Sequence, residues 1–140
     1  MAKTARDVMT GGVECVGESE TVLDAAKKLA DLDVGSMPIC GDDNRLKGML
    51  TDRDIVVKVL AAGRDPGATT AGDLGEGKPV TIGADDGVDE ALRTMIEHKV
   101  RRLPVIDGHE LVGIVSQADL ATNIDEEQVG QLVEAISAAP

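Results

Sequence analysis

Apolar positions along the chain fall into two rhythms that recur in the same order. Val22, Ala25, Ala26, Leu29 and Leu32 are spaced three and four apart, which predicts a helix. Residues 37–40 and 46–50 are short apolar runs on either side of Gly41-Asp42-Asp43-Asn44, which predicts two strands around a polar turn. A short apolar piece at 13–16 precedes the helix, and residues 52–62 read as a second helix. The succession then begins again. A piece at 80–82 leads to a helical pattern of Val88, Ala91, Leu92, Met95 and Ile96. Runs at 103–106 and 111–115 flank Asp107-Gly108-His109-Glu110, and residues 117–123 read as a helix. Each half is therefore strand, helix, strand, strand, helix.

A shift of 66 residues lays one succession on the other. Thr4-Ala5-Arg6-Asp7 falls on Thr70-Ala71-Gly72-Asp73, Gly17 on Gly83, Val22 on Val88, Ala25 on Ala91, Val34 on Val100 and Pro38 on Pro104. One residue is lost from the loop after Gly41, and a shift of 65 then places Leu46 on Leu111, Gly48 on Gly113 and Asp54 on Asp119. Matches over a whole unit with a single loop deletion mark a duplicated supersecondary unit. The expected division is repeat 1 at 1–62, a linker at 63–69, repeat 2 at 70–124 and a C-terminal helix at 125–140. Neither repeat can bury a helix-covered sheet well alone. The expected fold is therefore mixed α/β (α+β), two pseudo-twofold related repeats packed through their sheets. In the last segment Val129, Leu132, Val133 and Ile136 form one apolar stripe, suited either to the chain's own core or to a second copy.

Composition narrows the function. The 140 residues include no Phe, Tyr or Trp, so the core is aliphatic. Base-stacking platforms and aromatic cages are excluded. A net charge of −12 opposes nucleic acid and phospholipid surfaces, so no nucleic-acid or membrane partner is expected. The start of the chain lacks a signal-type apolar run and no stretch approaches membrane-spanning length, so a soluble, cytoplasmic protein is expected. Cys15 and Cys40 are too few for a disulfide scaffold or, with His98 and His109, for a closed structural zinc site, and no metal is expected. Both histidines, Asp42-Asp43 and Asp85-Asp86 read as surface, turn and helix-start residues.

The third strand of each repeat runs into its second helix through one string: Gly48-Met49-Leu50-Thr51-Asp52-Arg53-Asp54 and Gly113-Ile114-Val115-Ser116-Gln117-Ala118-Asp119. Thr or Ser followed three residues later by an acid is a helix capping box. The same groups also suit a nucleotide, because a cap hydroxyl donates to phosphate and a carboxylate one turn on accepts from ribose hydroxyls. No nucleophile-base pairing or Walker-type loop is traceable, so no enzyme is expected.

The duplication, the proline in each second strand and the Gly-apolar-apolar-(Thr/Ser)-x-x-Asp string resemble a tandem pair of CBS domains, a Bateman module, over residues 4–124. The stretch from Cys40 to Val56 is similar to small stand-alone pairs of the actinobacterial hypoxic-response type. That resemblance implies a regulatory protein binding AMP, ADP, ATP, S-adenosylmethionine or NAD between the repeats, with no required cofactor. It further implies phosphate contacts from Thr51 and Ser116, ribose contacts from Asp54 and Asp119, a homodimer and an unidentified regulated protein, in a stress- or energy-sensing role.

The repeats differ where selectivity is expected. Gly35-Ser36 in the first faces Arg101-Arg102 in the second, and guanidinium forks suit phosphate, although surface ion pairs would use the same side chains. Pro38 and Pro104 each remove a strand donor, leaving a carbonyl for a ligand amine or else ending an edge. Cys15 and Cys40 flank a strand-helix-strand unit whose strands are parallel neighbours, so a disulfide is geometrically possible. Reducing conditions and the sulfur-free equivalents Thr81 and Ile106 favour a buried pair of thiols. The competing function is a redox-responsive interaction module with vestigial clefts.

Overall fold

The structure, a computed structural model, describes residues 3–75 and 79–138. Met1, Ala2, Glu76 to Lys78 and the last two residues of the expected C-terminal segment lie outside the described residues. The chain divides into two compact units, one made of Met1–Val13 with Val80–Pro140 and the other of Glu14–Pro79. Each unit thus takes its opening segment from the other repeat.

In the unit holding Glu14–Pro79, strand β2 (Val16–Gly17) leads to helix α2 (Val22–Leu32), then β3 (Ser36–Cys40) and β4 (Leu46–Thr51). β3 is central, parallel to β2 and antiparallel to β4. A single turn, α3 (Asp52–Asp54), passes into a π-helical run at Ile55–Leu60, where the expectation was one continuous α-helix. The Ala61 amide donates to the Val56 carbonyl and that of Arg64 to Val59, both five residues back. Four of the six residues in this run are β-branched, a composition poor in α-helix propensity. Helix α4 (Ala71–Leu74) completes the unit, and the core gathers Val22, Leu29, Ile39, Leu50, Val59 and Leu74.

The other unit repeats the plan. Helix α1 (Ala5–Val8) and β1 (Thr10–Gly11) come from the start of the chain. β5 (Ile82–Gly83), α5 (Val88–His98), β6 (Arg102–Asp107), β7 (Glu110–Ser116) and α6 (Gln117–Ala121) follow. The sheet order is β1-β7-β6-β5. Helix α7 (Glu126–Ser137) packs on α5 and α6, with Leu132 and Ile136 buried in the same core as Leu92, Met95 and Leu120.

Equivalent residues make equivalent bonds. Thr4 and Thr70 each begin a capping box with Asp7 and Asp73, and Thr4 bridges to Gly87 as Thr70 bridges to Thr21. The carboxylate of Glu20 accepts the Gly17 amide at 2.7 Å as that of Asp86 accepts Gly83 at 2.9 Å. Lys28, together with the Gly17 amide, holds the Glu20 carboxyl below the ordinary carboxylate range. The prolines end no strand. Pro38 and Pro104 sit inside the central strands β3 and β6, opposite Met49 and Ile114.

The exchange of opening segments explains the first residue of the repeated string. A Cβ on Gly113 would lie 2.7 Å from the Thr10 carbonyl oxygen and 2.6 Å from the Met9 sulfur. On Gly48 it would lie 3.1 Å from the Cα of Gly75, the residue equivalent to Met9. We expect Gly113→Ala to destabilise by about 1–3 kcal/mol, the range for overpacking a filled site. Gly48→Ala is expected to cost less, since its neighbour needs only a small shift. Thermal unfolding of both variants checks this, and equal midpoints for Gly113→Ala and the wild type would contradict it.

Candidate functional site

The two junctions of the repeated string are built alike. Thr51 accepts the Asp54 amide at 3.0 Å while Asp54 accepts the Thr51 amide at 3.1 Å. Ser116 and Asp119 exchange the same pair of bonds at 3.1 and 2.9 Å. Each hydroxyl oxygen accepts, so its proton remains available to a ligand. Each carboxylate is fixed in its cap through one oxygen, Oδ2. Backbone bonds position what precedes: the Asp52 amide donates to the Gly35 carbonyl and the Gln117 amide to that of Arg101, both at 2.9 Å. This contact pins Arg101 beside the Ser116 junction.

The junctions differ in their charges. Lys58, one turn after Asp54, reaches that carboxylate's second oxygen at 3.2 Å. The i,i+4 spacing of Asp54 and Lys58 carries that pairing in the sequence, where only the capping spacing was read. Asp119 has no basic partner among the described residues. Arg101 and Arg102 are exposed and make no ion pair among the described residues.

An open cavity of about 470 Å³ joins Arg101, Arg102, Ser116 and Gln117 to an apolar lining of Ala118, Ala121, Val129 and Val133. Its volume suits a small organic ligand. Val129 and Val133 come from α7, whose stripe divides its work: Leu132 and Ile136 enter the core, the two valines line the cavity. Sequence reasoning registered the stripe but not this division, which depends on where α7 crosses α6. Thr51 and Asp54 belong to the other unit and line no part of this cavity; nor do Pro38, Pro104 and Asp119.

The cysteines depart from the expected thiols. Cys15 and Cys40 are joined in a disulfide, their Cα atoms 5.7 Å apart. Cys40 lies at the end of central β3, and Cys15 immediately precedes β2. Among the described residues no group of three or more His, Cys, Asp or Glu converges as metal ligands, and no helix is long and apolar enough to cross a membrane.

Comparison with known proteins matches these features twice over. The CBS domain model matches residues 5–61 and 71–126. The chain is 53% identical over 133 residues to hypoxic response protein 1 of Mycobacterium tuberculosis, covering 95% of this chain and 93% of that protein. It is 36% identical to the CBS domain-containing protein YhcV of Bacillus subtilis, covering 96% and 95%. The crystal structure of hypoxic response protein I with two coordinated zinc ions superposes with a TM-score of 0.81 at 54% identity, over 88% of this chain and all of that one. CBSX2 in complex with AMP superposes with a TM-score of 0.74 at 27% identity, over 86% and 94%. The duplicated strand-helix-strand-strand-helix unit with its Gly-apolar-apolar-(Thr/Ser)-x-x-Asp junction is the CBS domain, and the chain belongs to the CBS-domain family as a small tandem pair.

Proposed function

We propose that this CBS pair is a regulatory module that binds an adenosyl ligand of the AMP, ADP, ATP, S-adenosylmethionine or NAD class and passes its occupancy to another protein. CBS domains are generally regulatory rather than catalytic. The observation that carries the ligand reading is the cavity in which two unpaired arginines stand beside the Ser116 hydroxyl. In a chain of net charge −12, free guanidinium groups clustered at one hydroxyl favour an anion there. The aliphatic lining suits a purine face in a protein without aromatic residues. Ser116 would donate to phosphate, Asp119, bonded to the Ser116 cap but outside the cavity lining, would accept from ribose hydroxyls, and Thr51 and Asp54 would do the same in the other repeat. The AMP held by CBSX2 supports this class. Such a ligand regulates only by binding two states of the module with different affinity.

The test is direct. The protein has no Trp or Tyr, so absorbance near 260 nm in a preparation free of nucleic acid reports a co-purified nucleotide. Titration calorimetry with AMP, ATP, S-adenosylmethionine and NAD is expected to show saturable binding of at least one. Absence of heat with all four, together with no thermal stabilisation, would reject the reading.

The Cys15–Cys40 disulfide favours a second reading, a redox-responsive interaction module. In a cytoplasmic protein such a bond is characteristically transient and sensing. The two readings are separable, because only the second makes partner binding depend on thiol state with no nucleotide present.

A further inference from the structure

The two ends of the disulfide lie in unlike surroundings. Cys40 is the last residue of β3, the central strand of its sheet, and is 4% exposed. Its carbonyl accepts the Glu18 amide at 3.0 Å, and the next residue is covered as well: a Cβ on Gly41 would lie 2.6 Å from the Lys47 side chain, 2.9 Å from that of Asp43 and 3.5 Å from that of Glu18. Cys15 is half-buried and belongs to no helix or strand. It closes the passage of residues 12–15, along which the chain leaves the unit of Met1–Val13 with Val80–Pro140 and enters that of Glu14–Pro79. The start of this passage is open, since a Cβ on Gly12 would meet nothing within 4 Å among the described residues.

That asymmetry sets the direction in which the bond opens. Thiol–disulfide exchange brings a thiolate in line with the S–S bond, at a sulfur it can reach. Charge alone favours attack on Cys40, because the Lys28 ammonium, 3.5 Å from the Cys15 carbonyl oxygen, would stabilise Cys15 as the departing anion. Lys28 is already engaged by Glu20 at 2.9 Å and stands partly in water, which screens it. Burial acts the other way and is the larger effect: Cys40 becomes reachable only when the end of a central strand pulls out of its sheet. Attack therefore falls on Cys15.

We propose that Cys15 is a site of S-thiolation by a low-molecular-weight thiol and that Cys40 is the buried thiol that reverses it, an assignment that rests on the redox-responsive reading of the module. The attacking thiolate bonds to the Cys15 sulfur as the Cys15–Cys40 bond breaks, and the electron pair leaves on Cys40, which takes a proton from water. The small thiol is thereby oxidised to one half of a mixed disulfide, and Cys40 is reduced. The parallel pairing of Val16 with Ile39 and Gly17 with Cys40 keeps the Cys40 thiol beside Cys15. From there it attacks the Cys15 sulfur, expels the small thiol and restores the original bond. A second small thiol attacking first releases reduced Cys15 together with the disulfide of the small thiol. The adduct marks the residue next to the chain crossing, while the thiol in the core stays unmodified.

The probe is reduced glutathione, added to the oxidised wild type and quenched rapidly with acid and N-ethylmaleimide. Trypsin separates the cysteines, leaving Cys15 in residues 7–27 and Cys40 in residues 29–45. Peptide mass spectrometry is expected to find glutathione on 7–27 and N-ethylmaleimide on 29–45; glutathione on 29–45 instead overturns the proposal. Single variants give a second measurement. With glutathione disulfide, the Cys15 thiol of Cys40→Ser is expected to react at least about tenfold faster than the Cys40 thiol of Cys15→Ser. In denaturant the two rates should converge. A native ratio near one or reversed overturns the proposal, and so does a gap that persists in denaturant, because burial would not be its cause. The wild-type mapping stands whether or not the variants fold. Failure of the redox reading is seen separately: a wild type in which diamide joins no Cys15–Cys40 bond rejects that reading and the assignment with it, whereas a bond that forms and opens at Cys40 rejects the assignment alone.

Discussion

Reducing the Cys15–Cys40 disulfide lowers the stability of the unit that contains it by about 3.5 kcal/mol, the value chain entropy assigns to a loop of this size. The bond spans 25 residues and encloses the whole of α2, so in the unfolded chain it removes the freedom of an entire helix-length segment. Its folded-state setting limits the damage of losing it. Ile82↔Val105 and Gly83↔Ile106 hold the equivalent parallel strands of the other unit in the register of Val16↔Ile39 and Gly17↔Cys40, with Thr81 and Ile106 in place of the two cysteines. The reduced protein therefore keeps its fold and loses resistance to unfolding. Cys15→Ser is expected to reproduce the reduced wild type and to be insensitive to dithiothreitol. Denaturant melts of the oxidised, reduced and Cys15→Ser proteins check this. Identical midpoints for the first two, with oxidation state verified by alkylation and mass spectrometry, would remove both the stabilising role and the redox reading that depends on it.

The cysteines also show how far the sequence alone could be read. Strand-helix-strand chirality placed residues 15 and 40 side by side, which the 5.7 Å Cα separation bears out; redox state is a property of surroundings rather than spacing, and there the expectation failed. The repeat, its strands and the amphipathic helices were legible because periodicity records burial locally. Val22, Ala25 and Leu29 are buried as their spacing requires. The exchange of opening segments was not legible, since α1 and α4 match each other at a shift of 66 whichever unit they join. Gly48 and Gly113 were registered as constant letters in a string. Their cause, backbone packed where a Cβ would stand (Thr10 beside Gly113, Gly75 beside Gly48), exists only in three dimensions. The π-helical run was missed because Ile55, Val56, Val57 and Val59 satisfy the apolar spacing of a helix without reporting its hydrogen-bond pitch. Arg101 and Arg102 stand out on comparing the repeats, and neither makes an ion pair among the described residues.

Those arginines carry the second large effect. Replacing both with alanine is expected to weaken binding of a phosphorylated adenosyl ligand by about tenfold to a hundredfold. A hydrogen bond to a charged group contributes about 1.5–3 kcal/mol, discounted here because both side chains are exposed. The loss should grow with phosphate charge and fall on ligand binding alone. Among the described residues neither side chain has an ion-pair partner to leave stranded, and both are exposed, so the fold is expected to be retained. Adenosine, which lacks phosphate, serves as the internal control and should bind variant and wild type alike. Arg102→Lys should recover part of the affinity, since an ammonium retains the charge and loses the planar fork. Ser36 stands where Arg102 stands, in a repeat whose acid already pairs with Lys58, so a phosphorylated ligand should fill the Ser116 side first. Calorimetric titration of AMP into Arg102→Ala decides the assignment: an affinity equal to that of the wild type would take the phosphate away from these residues.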